Sequence, residues 1–246
     1  DINSAQVMRR GLSALAADVW VRFTHPYFRI ELEAAFLAAS MEQASLVPGF
    51  EYNHPLNFQQ YGGVMETQIG AKDASFVGGV DLGFASGDPA YGFGADPSLE
   101  NGASTKPGDL EGSQLNIPDD LRVDNFRFHP DYRVDRILFR EIIGTVTDTF
   151  YIRPHMRLRL LDFTTARLDL SLAAVVSWAT FASSTPGTGR ALGAEIDPTL
   201  SFHSDDGFEA ALEYAALFPF AGLNNVEKNL DAKTAQLLRL RLTFGF

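Results

Sequence analysis

Residues 190–204 read Arg-Ala-Leu-Gly-Ala-Glu-Ile-Asp-Pro-Thr-Leu-Ser-Phe-His-Ser, and apolar and polar side chains alternate through nearly all of this stretch. Leu192, Ala194, Ile196, Leu200 and Phe202 fall on one side of an extended chain; Gly193, Glu195, Asp197, Thr199, Ser201 and His203 fall on the other. Successive strand side chains point to opposite faces, so the segment has one apolar wall and one polar wall. The same period returns along the chain and ends in Leu238, Leu240, Leu242, Phe244 and Phe246. Recurrent alternation with a charged polar side is the pattern of strands that turn one face to lipid and the other to an aqueous lumen. The expected fold is therefore all-β, a transmembrane antiparallel up-and-down β-barrel.

Working outward, the period predicts about nine strands, over 16–24, 27–40, 58–72, 75–86, 149–161, 165–181, 190–204, 207–220 and 233–246. The connections at 24–27, 72–74, 162–165 and 205–207 are tight, and Asp205, Asp206 and Gly207 supply good hairpin chemistry. Between them lie long, Gly/Pro/Asn-rich connections at 41–57, 87–148, 182–189 and 221–232. Short and long take turns, as periplasmic turns and external loops do in outer-membrane barrels. A soluble β-sandwich also alternates, but several of these spans are more than twice the roughly 5–6 residues usual for soluble strands. Aromatics also cluster near both ends of the apolar face. Phe28, Phe76, Phe202, Phe208 and Phe246 mark one rim; Tyr61, Phe84, Phe150, Trp178 and Phe218 mark the other. Bacterial single-chain barrels have even strand numbers. Nine strands thus raise the expectation that this chain is the C-terminal part of a larger barrel, with strands upstream of Asp1, or that it pairs with another chain.

Composition bounds the function classes. The chain of 246 residues forms a single barrel region, 1–246, with no shift that marks a second domain. Its formal charge of −11 argues against nucleic acid, which needs a basic face. No cysteine is present, so disulfides, thiolate metal sites and a thiol nucleophile are excluded. Mean hydropathy is near neutral and no apolar run is long enough for a membrane-spanning helix. No signal-peptide pattern is visible and the chain opens on Asp1, so a processed or longer precursor is expected. The expected partners are the lipid bilayer of lipopolysaccharide and phospholipid, the barrel-assembly machinery acting on a C-terminal signal at Phe244 and Phe246, and other envelope proteins.

The polar face carries the candidate site. His155, Arg157, Arg159 and Arg167 form a cationic stripe; Glu195, Asp197, Glu209 and Glu213 form an acidic one on the next strands; Arg239 and Arg241 follow on the last. Facing stripes across a wet pore set up a transverse field that orients polar solutes. The alternative is mutual neutralisation, in which neighbouring Arg and Glu pair and select nothing. Catalysis is not expected. His203, Ser204 and Asp205 are consecutive residues at a turn, and His129 and Asp131 lack a serine partner. The five histidines are scattered, and Asp88, Asp96, Asp109, Glu111, Asp119 and Asp120 lack the ligand register of a Ca²⁺ loop, so no metal or other cofactor is expected.

The long insert at 87–148 breaks the period. Its first part, to about residue 125, is rich in Gly, Pro, Asp and Ser and looks like a partly mobile external loop. Its second part, 126–144, places Val134, Ile137, Leu138, Glu141 and Ile142 at a helical spacing, with Gly144 as a C-cap. Such a short helix either folds into the lumen as a constriction or covers the external mouth. Residues 128–140, Phe-His-Pro-Asp-Tyr-Arg-Val-Asp-Arg-Ile-Leu-Phe-Arg, followed by Gly-Thr-Val-Thr at 144–147, resemble a little-characterised family of Gram-negative outer-membrane barrels distantly similar to the alginate-export porins. Residues 85–88, 193–197, 207–208 and 217–219 are similar to it as well, so the likeness spans about 58 to 220. Its members are considerably longer than this chain. The resemblance implies an outer-membrane location and a pore or polymer-export role, and it carries over no catalytic residue. Two function classes follow. One is a channel that passes small hydrophilic solutes or an anionic polysaccharide. The other is a plugged barrel that acts as a scaffold in an envelope assembly.

Overall fold

The computed structural model describes residues 10–43, 55–71, 73–93, 105–110 and 120–245. They form nine strands: β1 (Leu12–His25), β2 (Phe28–Met41), β3 (Leu56–Ile69), β4 (Phe76–Ala85), β5 (Thr149–Asp162), β6 (Ala166–Ala179), β7 (Ala191–Ser204), β8 (Phe208–Pro219) and β9 (Ala235–Phe244). Each pairs antiparallel with its sequence neighbours in a single sheet ordered β1 to β9. The chain is thus all-β and up-and-down, as the alternation predicts, and each strand lies within a few residues of its expected span. Tight turns close β1–β2, β3–β4, β5–β6 and β7–β8 at one end. At the β7–β8 turn, Gly207 takes φ +88°, a conformation costly for side chains with a Cβ.

Among the described residues the sheet does not close. Strict antiparallel order makes β1 and β9 run in the same direction, and both are edges. The sheet nevertheless curls into a trough. One cavity of about 560 Å³ is lined both by Gln68 on β3 and by Arg239 on β9. Six inter-strand spacings would hold these residues roughly 29 Å apart on a flat sheet, nearly three times the roughly 10 Å width of such a cavity.

The two faces sort as the period requires. The convex face carries exposed rows, among them Phe150, Leu158, Ile196, Leu200, Leu212, Tyr214, Phe218, Leu238, Leu240 and Leu242. Aromatic rings mark its long-loop end: Phe84 opposes Phe150, which opposes Trp178 with ring centroids 6.1 Å apart, and Tyr61 stacks on Phe84 at 5.7 Å. At the short-turn end Phe202 and Phe208 approach to 6.3 Å, and Phe208 opposes Phe244. Phe244 closes β9 on the convex face; Phe246 lies outside the described residues, as do Asp96, Glu111 and Asp119.

One residue of the opening stretch departs from its expected side. Leu192 is 0% exposed and belongs to the core, not to the apolar outer row. Opposite β7, Ser177 pairs with Gly193 and Trp178 with Ala191, so Leu192 is the extra residue of a β-bulge and turns inward.

The core lies on the concave side, between the trough and the segment 126–148. Val134, Ile137, Leu138, Phe139, Ile143 and Val146 from that segment pack on Ala85, Tyr151, Val175, Ala179, Leu192, Ala215 and Leu217 from the strands. The expected helix is a single π-turn, Leu138–Ile142, in which the N–H of Ile142 bonds the Ile137 carbonyl at 3.0 Å. Gly144 takes φ +92° just beyond it. The segment thus packs against the concave face of the sheet and is called the plug below.

Candidate functional site

The plug is held at its neck, along its rim and at its tip. At the neck, Arg127 bridges Thr147, and the Phe128 N–H bonds the Val146 carbonyl at 3.0 Å. There Asp148 adopts φ +47° and accepts a hydrogen bond from the Ser184 hydroxyl, while its own carbonyl accepts from the Thr180 N–H at 3.0 Å. Burial pushes the Asp148 carboxyl up to about 7. Asp88 ties the start of the long loop to the same neck, its carboxylate accepting the N–H groups of Ala90 and Asp124, each at 3.0 Å.

Along the rim, glycines make room for rings. The inward face of β3 has Gly62 where a Cβ would run into the Phe126 ring, and β4 has Gly83 where one would run into the Tyr151 ring. Phe126, Phe128 and Tyr132 then form a ladder of edge contacts at 5.8 and 5.4 Å. The Tyr132 hydroxyl donates to Glu66 on β3 at 3.0 Å and meets the Tyr151 hydroxyl at 3.2 Å.

At the tip, a wall carboxylate takes over the role of a helix cap. Glu195 on β7 accepts the backbone N–H groups of Arg136 at 2.9 Å, Ile137 at 2.8 Å and Leu138 at 2.9 Å. These are orphan donors at the start of the π-turn, and a carboxylate satisfies them with charge-assisted bonds. Asp135 accepts the Phe139 N–H at 2.9 Å. Burial, reinforced by the neighbouring Glu195 charge, pushes the Asp135 carboxyl well above its ordinary range. Arg136 completes the latch through Thr199 Oγ1 at 2.5 Å, the Tyr214 carbonyl at 3.0 Å and an ion pair with Glu213 at 3.8 Å.

The expected lumen residues lie on the concave face, where most divide between two spaces, Glu195 and Arg241 line neither, and several are spent on each other. His155, Arg157, Asp197, Glu213 and Arg239 line the cavity of about 560 Å³ between plug and wall. Arg159, Arg167 and Glu209 line another, of about 590 Å³, toward the short turns. In that lower half mutual pairing prevails. Arg167 and Arg159 lie 3.4 and 3.8 Å from Asp169, and Arg241 lies 3.6 Å from Glu209 and 3.8 Å from Glu213. His155 lies 3.2 Å from Asp81, which also takes Arg153 at 2.7 Å. Glu195 corrects the expectation most sharply. It is 1% exposed and holds the plug rather than facing open solvent.

Sequence reasoning missed the plug's share of the site. Arg133, Arg136 and Arg140 all line the upper cavity, together with Arg153, Arg157 and Arg239 from the wall. Their spacing of three and four residues was a visible signal, because it sets cations on one side of a helical turn. Among the described residues no three His, Asp or Glu side chains converge to hold a metal ion. No protein-family model matches the chain and no curated protein matches its sequence.

Proposed function

We propose that this chain forms the wall and internal plug of an outer-membrane β-barrel channel of a Gram-negative bacterium, passing small hydrophilic, preferentially anionic solutes past the plug. The observation that carries this reading is the sorting of the two faces. The convex side presents long exposed rows of Leu, Ile, Val and Phe bounded by aromatic rings, whereas the Arg, Asp and Glu side chains of the strands lie on the concave side. Exposed apolar surface on this scale marks a contact with lipid or another protein. Once closed into a barrel, an antiparallel sheet satisfies its backbone polar groups within a bilayer, which would make these strands competent to span it. The short turns then face the periplasm and the long loops the outside. The resemblance of residues 128–140 to an outer-membrane family points the same way.

In this reading β1 and β9 do not pair antiparallel with each other, because they run in the same direction. An odd number of further antiparallel strands closes the wall. A second reading, a plugged scaffold in an envelope assembly, is favoured by one feature: the plug packs a continuous buried core against the wall.

Planar-bilayer conductance separates the two. The channel reading predicts steady ohmic steps with anion preference, and Arg157→Glu lowers that preference. A correctly folded barrel that inserts and stays silent contradicts the channel and leaves the scaffold.

A further inference from the structure

The plug carries more positive charge than its own anchoring uses. Arg136 is consumed by Thr199, the Tyr214 carbonyl and Glu213. Arg133 is exposed and makes no ion pair with any described residue. Arg140 has one ion partner, the adjacent and half-exposed Glu141, at 3.6 Å. Both Arg133 and Arg140 line the cavity of about 560 Å³, and Arg157 of β5 lines it as well. The wall of this same space also presents hydrogen-bonding groups, Ser171 on β6 and Asp197 on β7, beside the Thr199 already taken by Arg136.

These two sets of groups define complementary halves. Guanidinium forks recognise carboxylate or phosphate oxygens with charge-assisted, geometrically specific bonds. Carboxyl and hydroxyl groups recognise the several hydroxyls of a polyol, of which inorganic phosphate offers only its one or two P–OH groups. A neutral polyol would leave the guanidinium groups without a counter-charge, and inorganic phosphate would leave most of the hydrogen-bonding wall unmatched. The volume lies within the roughly 300–1,000 Å³ typical of small-molecule sites.

We propose that the space between plug and wall is a binding site for a small hydroxylated organic anion, a carboxylate or phosphate on a polyol or sugar framework. Arg133 and Arg140 hold the anionic group, and the Ser171 hydroxyl and the Asp197 carboxyl on the facing wall hydrogen-bond the ligand's hydroxyls. The assignment rests on the channel reading, since only an aqueous concave face gives such a solute access in a membrane.

Isothermal titration calorimetry on the full chain in detergent micelles tests it with four probes: D-gluconate, glucose 6-phosphate, glucose and inorganic phosphate. At least one of the first two is expected to bind at least about tenfold more tightly than glucose and inorganic phosphate, and their order tells whether carboxylate or phosphate is preferred. Arg133→Gln and Arg140→Gln each weaken that binding about tenfold, the loss of one charge-assisted contact. Arg140→Lys, which keeps the charge and loses the fork, falls between. Lys228→Gln, in the exposed β8–β9 loop, binds as the parent does. Far-UV circular dichroism confirms that each variant is folded. Equal binding of glucose and gluconate, equal binding of inorganic phosphate and glucose 6-phosphate, no binding of either organic anion, or folded arginine variants that bind like the parent would each overturn the site. Conductance without such binding removes the site and keeps the channel; binding by a protein silent in bilayers removes the channel and keeps the site.

Discussion

β1 and β6 are both strands of 14 residues with the same alternating pattern, yet their environments are opposite. Every residue of β1 is exposed, whereas β6 buries Asp169, Ala173, Val175, Ser177 and Ala179 on its inner face. The difference is the plug. It lies over the inner face of β3 to β8 and leaves β1 with only β2 beside it. Alternation thus decides which way a side chain points, and what lies against that face decides whether it is buried. The inner polar groups follow the same rule. On the β1 side, Arg22, Arg29, Glu31 and Glu66 form an open network, with Arg22 also stacked over Trp20 at 4.9 Å. Beneath the plug, the carboxylate of Glu195 is fully committed to backbone donors.

The largest expected effect contrasts these two carboxylates. Glu195→Ala strands three buried N–H groups and empties their pocket, for a loss of about 3–5 kcal/mol in urea unfolding from lipid vesicles, with the plug becoming protease-sensitive. Glu31→Ala removes partners that water replaces, and no measurable loss is expected. Equal effects would break the contrast between the two halves.

A second comparison uses two residues of β7 on opposite faces. Ile196→Arg sets a charge on the apolar outer row and is expected to cost about 2–4 kcal/mol of stability in the bilayer. Ser201→Arg sets the same charge on the inner face and is expected to leave stability near that of the parent. The same vesicle unfolding assay reads both.

A further contrast is a pH dependence expected on the plug side. The folded Asp148 carboxyl sits at about 7, above its ordinary value near 3.8, so the folded chain keeps a proton that the unfolded chain has lost. Stability of the neck therefore falls as pH rises from about 4 toward 7 and is level above that. Asp135 is raised in the same sense. Proteolytic protection of residues 126–148 and 180–190 should be greater at pH 5 than at pH 8, while the β1–β2 turn shows no such change. Asp148→Asn should remove the Asp148 share of the dependence and leave that of Asp135.

Much of the wall was legible because its determinants are local. A period of two in 190–204 or 207–220 specifies both a strand and its facing, and an Asp-Asp-Gly turn specifies where the chain reverses. The inward turn of Leu192 was not legible, because a bulge is fixed by the register of β6 against β7 rather than by the residues of β7 alone. The plug was half legible. Val134, Ile137, Leu138 and Ile142 announced an apolar turn, but its destination depended on Glu195, some 60 residues away, whose carboxylate looks in the sequence like any other inward charge. The expected stripes therefore share the concave face with groups the sequence did not single out. Wall arginines were expected to dominate, and Arg133, Arg136 and Arg140 of the plug share the cavity with them.

The absence of cysteine makes the most direct test of the account simple, because single cysteines can be scanned along β7 without background. In lipid vesicles, a fluorophore at Ala194→Cys, Ile196→Cys, Leu200→Cys or Phe202→Cys should be quenched by brominated acyl chains and shielded from aqueous iodide. A fluorophore at Thr199→Cys, Ser201→Cys or His203→Cys should show the reverse. Strict alternation of the two responses is the predicted result. Aqueous quenching at every position, or loss of the two-residue period, would contradict a wall with lipid on one side and water on the other.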